Sequence, residues 1–195
     1  MTAFDLLTIG HSNHPAERFL TLLRDAGVTA IADVRSVPSS RRFPWFSGKA
    51  LAERLPRDAI AYLPFGEALG GRPRDPALYC DGIADYEAMA ATPQFRAALD
   101  GVVAGEGRVC LMCAEREPLD CHRCLLVARA FAERGLSIGH ILADGTIEPQ
   151  AAIEDRLLAL AAKADRQADL FRDRGARLAD AYRRRARAVA ARLKA

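Results

Sequence analysis

Apolar and polar residues alternate with two different periods along the first 150 residues. LLTIG (6–10) is a short apolar run closed by a glycine and predicts a buried strand. The polar turn His11–Pro15 leads into a helix over about Pro15–Ala26, with Phe19, Leu20, Leu22 and Leu23 on its buried side. Pro15 suits the first helical position and Gly27 the stop. VTAIADVR (28–35) is a second strand. Strand, helix, strand is a βαβ unit, which implies a parallel sheet with right-handed crossovers.

The alternation continues. A loop rich in Pro and Ser (36–48) precedes a helix near Lys49–Leu55, a strand at 59–65 and a second long loop at 66–82. Helical periodicity covers about Ile83–Ala91 and Pro93–Ala104; RVCLMC (108–113) is a strand and Cys121–Arg134 a helix. Ser137–Ile141 is a final strand, ending at Asp144-Gly145. From about Pro149 the chain reads as long helix. Ile153, Leu157 and Leu160 form one stripe, and Phe171, Leu178, Tyr182, Val189 and Leu193 another. Gly175 weakens that helix by about 1 kcal/mol relative to alanine. The expected fold is α/β: a mostly parallel open sheet flanked by helices, Rossmann-like, over residues 1–150, with a helical extension at 151–195.

Composition changes this picture in three ways. Half of the 195 residues are hydrophobic, enough for a sizeable core, yet no apolar run approaches the ~20 residues that span a bilayer. MTAFDLLTIG lacks a basic leader and a cleavage site, so a cytoplasmic location and no membrane partner are expected. Five cysteines are then reduced thiols rather than a disulfide framework. The net charge of +3 is unevenly spread: residues 163–195 carry eleven Lys and Arg against four Asp. Such a tail either binds phosphate backbones or is a solvated helix packed on its own domain or on a second subunit as a homodimer.

Candidate chemistry is concentrated in CLMCAEREPLDCHRC (110–124), which holds four of the five cysteines. Two CxxC pairs suggest zinc, but Cys110 and Cys113 lie three apart on a strand and point to opposite faces. Cys110-x5-Arg116 has the bare spacing of a phosphate-cradling loop, but it begins before the strand ends and contains no glycine. A thiol site fits better. Asp120 is a natural N-cap, which places Cys121 in a first helical turn beside His122 and Arg123, where its pKa is lowered. Cys113 and Glu115 end the preceding strand, where open α/β sheets bind ligands. Packing is the plain alternative, and it suits Cys80, Cys110 and Cys124.

Several motifs recur in a known order: TIGHS (Thr8–Ser12), DVR (Asp33–Arg35), Pro38-x-Ser40, LGG (Leu69–Gly71), and Cys113-x-Glu115 with the later Cys121-His122-Arg123. Together they resemble the domain-of-unknown-function family 488, over roughly residues 5–150. The resemblance implies one cytosolic α/β domain and supplies no reaction. It implies that Cys113, Glu115, Cys121, His122 and Arg123 belong to the family pattern and that Cys110, Arg116 and Cys124 do not.

Three polar clusters thus follow three strands: His11 and Ser12, Asp33 and Arg35, and the Cys113–Arg123 segment. They are expected to converge on one edge of the sheet. Each also has a bland role: His11 and Ser12 as helix caps, Asp33 and Arg35 as a mutual pair. The assignment taken is Cys113, Glu115, Cys121, His122 and Asp33 as catalytic, with His11, Ser12, Arg35, Arg41 and Arg123 binding ligand. Arginines suit phosphate, and Phe43, Trp45 and Phe46 suit a stacked base as well as they suit core cover. The expectation is a thiol-dependent hydrolase, transferase or redox enzyme on a phosphorylated, nucleotide-like or nucleic-acid substrate, with no cofactor and no metal. The alternatives are a non-catalytic nucleic-acid-binding module and a metalloprotein using Cys113, Cys121 and His122.

Overall fold

The computed structural model describes residues 4–105, 107–164 and 173–192. Its centre is a six-stranded sheet. Five strands, β1 (Leu6–Gly10), β2 (Ala30–Asp33), β3 (Ala61–Pro64), β6 (Val109–Cys113) and β7 (Ile138–Ile141), run parallel. A sixth, β8 (Ile147–Pro149), pairs antiparallel with β7 through a turn at Gly145, so the segment after Ile141 is a hairpin. The spatial order is β3-β2-β6-β1-β7-β8. Between β3 and β6 the chain forms α3 (Gly66–Leu69), a two-residue ribbon of β4 (Tyr79–Cys80) and β5 (Ile83–Ala84), α4 (Tyr86–Ala91) and α5 (Pro93–Val103). The expected helix Ile83–Ala91 therefore begins late: Asp85 caps α4 through the backbone N–H groups of Glu87 and Ala88, and the two residues before it pair as a strand.

Period-two alternation divides the sheet's side chains between two cores. Leu7, Ile9, Ile31, Cys110 and Met112 face α1 (Ala16–Asp25) and the segment around α2 (Gly48–Arg54). Ala30, Ala32, Val109, Leu111 and Cys113 face the other way, toward α4, α5 and the helix after β6. Cys110 and Cys113 are thus on opposite faces, as their spacing requires. The helix stop at Gly27 also holds: its φ of +65° is a left-handed conformation that a glycine takes without strain.

Two helices complete the chain, α7 (Gln150–Ala164) and α8 (Arg174–Arg192). Ala181, Tyr182, Ala186, Val189 and Ala190 of α8 are buried in the same core as β6. A chain of buried hydrogen bonds ties both helices to the sheet: Thr8 to His140 (2.9 Å), His140 to Gln150 (2.6 Å), and Gln150 to the Tyr182 hydroxyl (2.6 Å). The extension therefore lays its apolar face on its own domain. Phe171 and Leu193 of the expected stripe lie outside the described residues. The basic side chains of α8 are largely engaged with acidic partners: Arg174 with Asp155, Arg185 and Arg192 with Asp120, Arg187 with Asp81.

Candidate active site

β1, β6 and β2 are neighbours, so their carboxyl ends bring the three polar clusters together. The helix after β1 and the helix after β6 pack on opposite faces of the sheet. Adjacent strands whose following helices diverge leave a crevice between them, which is where ligands bind in open α/β folds. The crevice here is a cleft of about 320 Å³. His11, Arg35, Ser36, Arg72, Cys113 and Glu115 line it, and His122 and Gly71 close one wall.

Four side chains meet at its floor. The Cys113 and Cys121 sulfurs each lie against the same Glu115 oxygen, at 2.9 and 3.0 Å, and Cys113 Sγ is 3.7 Å from His122 Nδ1. The relevant atoms of Cys113, Glu115, Cys121 and His122 all fall within 4.8 Å of one another. Local backbone explains how two consecutive residues share this point. Cys121 is extended (φ −137°, ψ 139°) while His122 is already helical (φ −61°, ψ −25°), so the chain turns between them. The helix that follows opens with a π-helical stretch, Arg123–Ala128, before α6 (Arg129–Glu133), which departs from the regular helix expected over Cys121–Arg134. Such wide turns are often found at functional sites.

Burial and charge set the protonation pattern. Burial raises the Cys113 thiol, and nearby Cys121 and Glu115 raise it further. Burial also opposes ionisation of Cys121, but the hydrogen bond to Cys113 and the charges of Arg123 and His122 outweigh it and hold that thiol below its ordinary value. Burial raises the Glu115 carboxyl, and Cys121 adds to the effect. Burial works to lower His122, but its interaction with Cys121 wins and raises it. His122 Nε2 lies 2.8 Å from the Val34 carbonyl and donates to it, so Nδ1 is the nitrogen turned toward the sulfurs.

The structure revises several expected roles. Asp33 is not in the cluster. It is fully buried, forks with Arg35 (Oδ1–Nε 2.8 Å, Oδ2–Nη2 2.5 Å), and also accepts from the Arg35 backbone N–H (3.1 Å) and the Tyr62 hydroxyl (2.8 Å), so its four acceptor sites are filled. The mutual pairing wins because Arg35 follows Asp33, the last residue of β2, by two positions, which keeps both side chains on one side. Arg35 does line the cleft, but it also donates to the Phe46 carbonyl and to His11 Nε2, so most of its donors are spent inside the protein. Arg123 is not a ligand clamp. It is 0% exposed and donates to the Glu115 carbonyl (2.5 Å) and the Arg116 carbonyl (3.2 Å), bracing the loop from beneath. Asp120 does not cap a helix: Glu117 caps the short 3-10 turn Pro118–Asp120, and Asp120 pairs with Arg185 and Arg192.

His11 and Ser12 are not caps either, since α1 has no side-chain cap. His11 lies in the cleft wall, stacked on Phe46 (4.3 Å between centroids), with Nδ1 donating to the Ser12 carbonyl. Burial and then the Arg35 charge lower its pKa to about 4, so the ring is neutral. Ser12 lies outside the cleft lining; its backbone N–H extends the pairing with the β6 strand end at Ala114, and its φ of +49° turns the chain away. Arg41 is exposed on the loop and does not reach the lining. Phe46 is core, while Trp45 remains 42% exposed beside it.

Three further residues contribute in ways that no local sequence signal shows. Ser36 accepts from the Arg72 backbone N–H (2.9 Å) and joins the two long loops across the cleft. A Cβ on Gly71 would approach the His122 ring to 2.8 Å, so the second glycine of LGG is needed for that imidazole to occupy its place. Tyr86 is 5% exposed, its hydroxyl has no hydrogen-bond partner among the described residues, and burial followed by the charges of Cys121, Cys113 and Glu115 raises its pKa. LGG was a recognisable motif, but nothing local pointed to a histidine far along the chain.

Fold and site together define an open α/β protein with a polar cleft at the carboxyl ends of its central strands. The chain belongs to the family described as Domain of unknown function DUF488, which it matches over residues 15–130. That span is narrower than the motifs suggested and leaves Thr8–Ser12 outside it. No curated protein and no solved structure matches the chain. No described helix is long and apolar enough to cross a membrane.

Proposed function

We propose that the protein is an enzyme that carries out hydrolysis or group transfer on a small phosphate-bearing, nucleotide-like substrate held in this cleft. The observation that carries the proposal is the meeting of two thiols, a carboxyl and an imidazole at the floor of a cleft with arginine at its rim. Ligand sites in general are clefts of about 300–1,000 Å³ with a few convergent polar groups. At about 320 Å³ this one suits a mononucleotide-sized molecule rather than a polymer. Arg72 is exposed at the rim and makes no ion pair among the described residues, so its full charge is available to a phosphate.

Accessibility narrows the roles. Cys121 is 1% exposed and outside the cleft lining, so a substrate in the cleft meets Cys113, Glu115 and His122, with Cys121 behind them. Attack by a free Cys121 thiolate, the simplest form of a thiol mechanism, is disfavoured on that ground. The non-catalytic nucleic-acid module is also less well supported, because the arginines of α8 are so largely paired. The test is a panel of nucleoside mono-, di- and triphosphates and simple phosphomonoesters, followed by thermal shift and turnover. The proposal expects one class to raise Tm and be consumed, with Arg72→Gln binding at least tenfold more weakly. A panel with no stabilising compound, or equal binding by Arg72→Gln, would count against it.

A further inference from the structure

We propose that Cys113, Cys121, His122 and Glu115 form a binding site for one zinc-class divalent ion, through the two sulfurs, Nδ1 and one carboxylate oxygen. This deepens the enzyme proposal by naming a cofactor, and it rests on that proposal only for the ion's use in catalysis.

Geometry is the first argument. Four donor atoms of metal-ligating type lie within 4.8 Å of one another, three of their residues are buried, and they come from a strand end and a helix start. Tetrahedral zinc sites use this donor set, at about 2.0–2.3 Å from the ion. The two sulfurs crowd a single carboxylate oxygen, an arrangement that suits a shared cation better than two separate thiol hydrogen bonds.

The surroundings supply the second argument. Ligating histidines usually donate their other ring nitrogen to a carbonyl, which fixes the tautomer; His122 does this with Val34. The Arg123 backbone N–H points at the Cys121 sulfur (3.4 Å), as N–H groups do around metal thiolates. Binding requires both sulfurs as thiolates and His122 neutral at Nδ1, so it releases the protons these groups hold. A dication with two thiolates, a carboxylate and a neutral imidazole leaves one negative charge, which the buried Arg123 guanidinium balances. Among the described residues, Arg123 Nε and the Tyr86 hydroxyl are both buried without a hydrogen-bond partner, and both lie within electrostatic reach of the two sulfurs. An anionic metal–thiolate centre would give these orphaned donors something to face. Thiolate ligands select zinc over magnesium, calcium or manganese. Cys113, Glu115 and His122 also line the cleft, so a substrate can approach the ion from that side.

The test is elemental analysis of untagged protein grown with added zinc and desalted. Wild type should carry about one zinc per chain, as should Cys80→Ser and Cys110→Ala. Cys121→Ser and His122→Gln should lose at least nine-tenths of it. Wild-type protein reloaded with Co²⁺ provides a second measure that does not depend on those variants folding, and it should show thiolate-to-cobalt charge-transfer absorption that the milder Glu115→Gln alters. Folded wild type that takes up neither ion, zinc uptake indifferent to Cys121→Ser, or a Cys113–Cys121 disulfide in freshly isolated protein would each overturn the inference. If zinc is absent while nucleoside phosphate still binds, the metal site fails alone. Zinc present with no phosphate ligand bound is the reverse case, and it upholds the metal site.

Discussion

Acidification should destabilise this protein through His140, and the size of the effect follows from its surroundings. His140 is fully buried, accepts from Thr8 at Nδ1 and donates from Nε2 to Gln150. Burial lowers its pKa from 6.5 to about 4; the Gln150 hydrogen bond opposes this, and the charges of Arg123 and Arg156 add to it. The folded pKa is below the unfolded one, so between them the unfolded chain binds a proton that the native state refuses. The stabilising contribution is therefore complete above pH 6.5 and is lost as pH falls toward 4. At pH 5 the loss works out at about 2 kcal/mol relative to pH 7.5, from the 1.36 kcal/mol that each pKa unit represents. Urea denaturation of wild type and His140→Asn at both pH values measures it. The variant should be weaker at pH 7.5, because the bridge from Thr8 to Gln150 is broken, but its stability should fall by about 2 kcal/mol less on acidification. Equal losses in the two proteins would refute the reasoning.

Other perturbations test the site's supports. Gly71→Ala should push on a His122 ring that Val34 holds in place, costing about 1–3 kcal/mol and abolishing nucleoside phosphate binding while circular dichroism stays native. Asp33→Asn should cost about 3–5 kcal/mol in urea denaturation, because it breaks a buried fork and leaves Arg35 poorly compensated. Tyr62→Phe, which removes one hydrogen bond to the same carboxylate, should cost about 1 kcal/mol. Arg185→Ala should loosen the Leu119–Asp120 turn that precedes Cys121, and faster backbone hydrogen exchange confined to residues 118–122 would show it.

Much of this arrangement was legible in the sequence, for identifiable reasons. Periodicity gave the five parallel strands and most of the helices between them, and period two alone separated Cys110 from Cys113; the short β4–β5 ribbon and β8 carried no such signal. The three loop clusters could be placed together because polar residues end or follow β1, β2 and β6, and parallel strands share one carboxyl edge. What was not legible depended on long-range contact. Asp33 and Arg35 look equally apt for catalysis or for each other until the Tyr62 hydroxyl completes the carboxylate's shell. Arg123 reads as a ligand clamp because arginine is usually exposed; only the closed loop beneath Glu115 and Arg116 gives it a buried task. Asp120 has every local mark of an N-cap, but two arginines of a helix far along the chain claim it. The apolar stripe of α8 was visible in Tyr182 and Val189, and the surface it covers was not.

The central claim is that the four-residue centre and the arginine-rimmed cleft are one site. A crystal structure of the protein soaked with a nucleoside monophosphate tests it most directly. The account predicts the phosphate beside Arg72 with the ligand extending over Cys113, Glu115 and His122. A ligand bound elsewhere, such as along the arginines of α8, or none at saturating concentration, would contradict it.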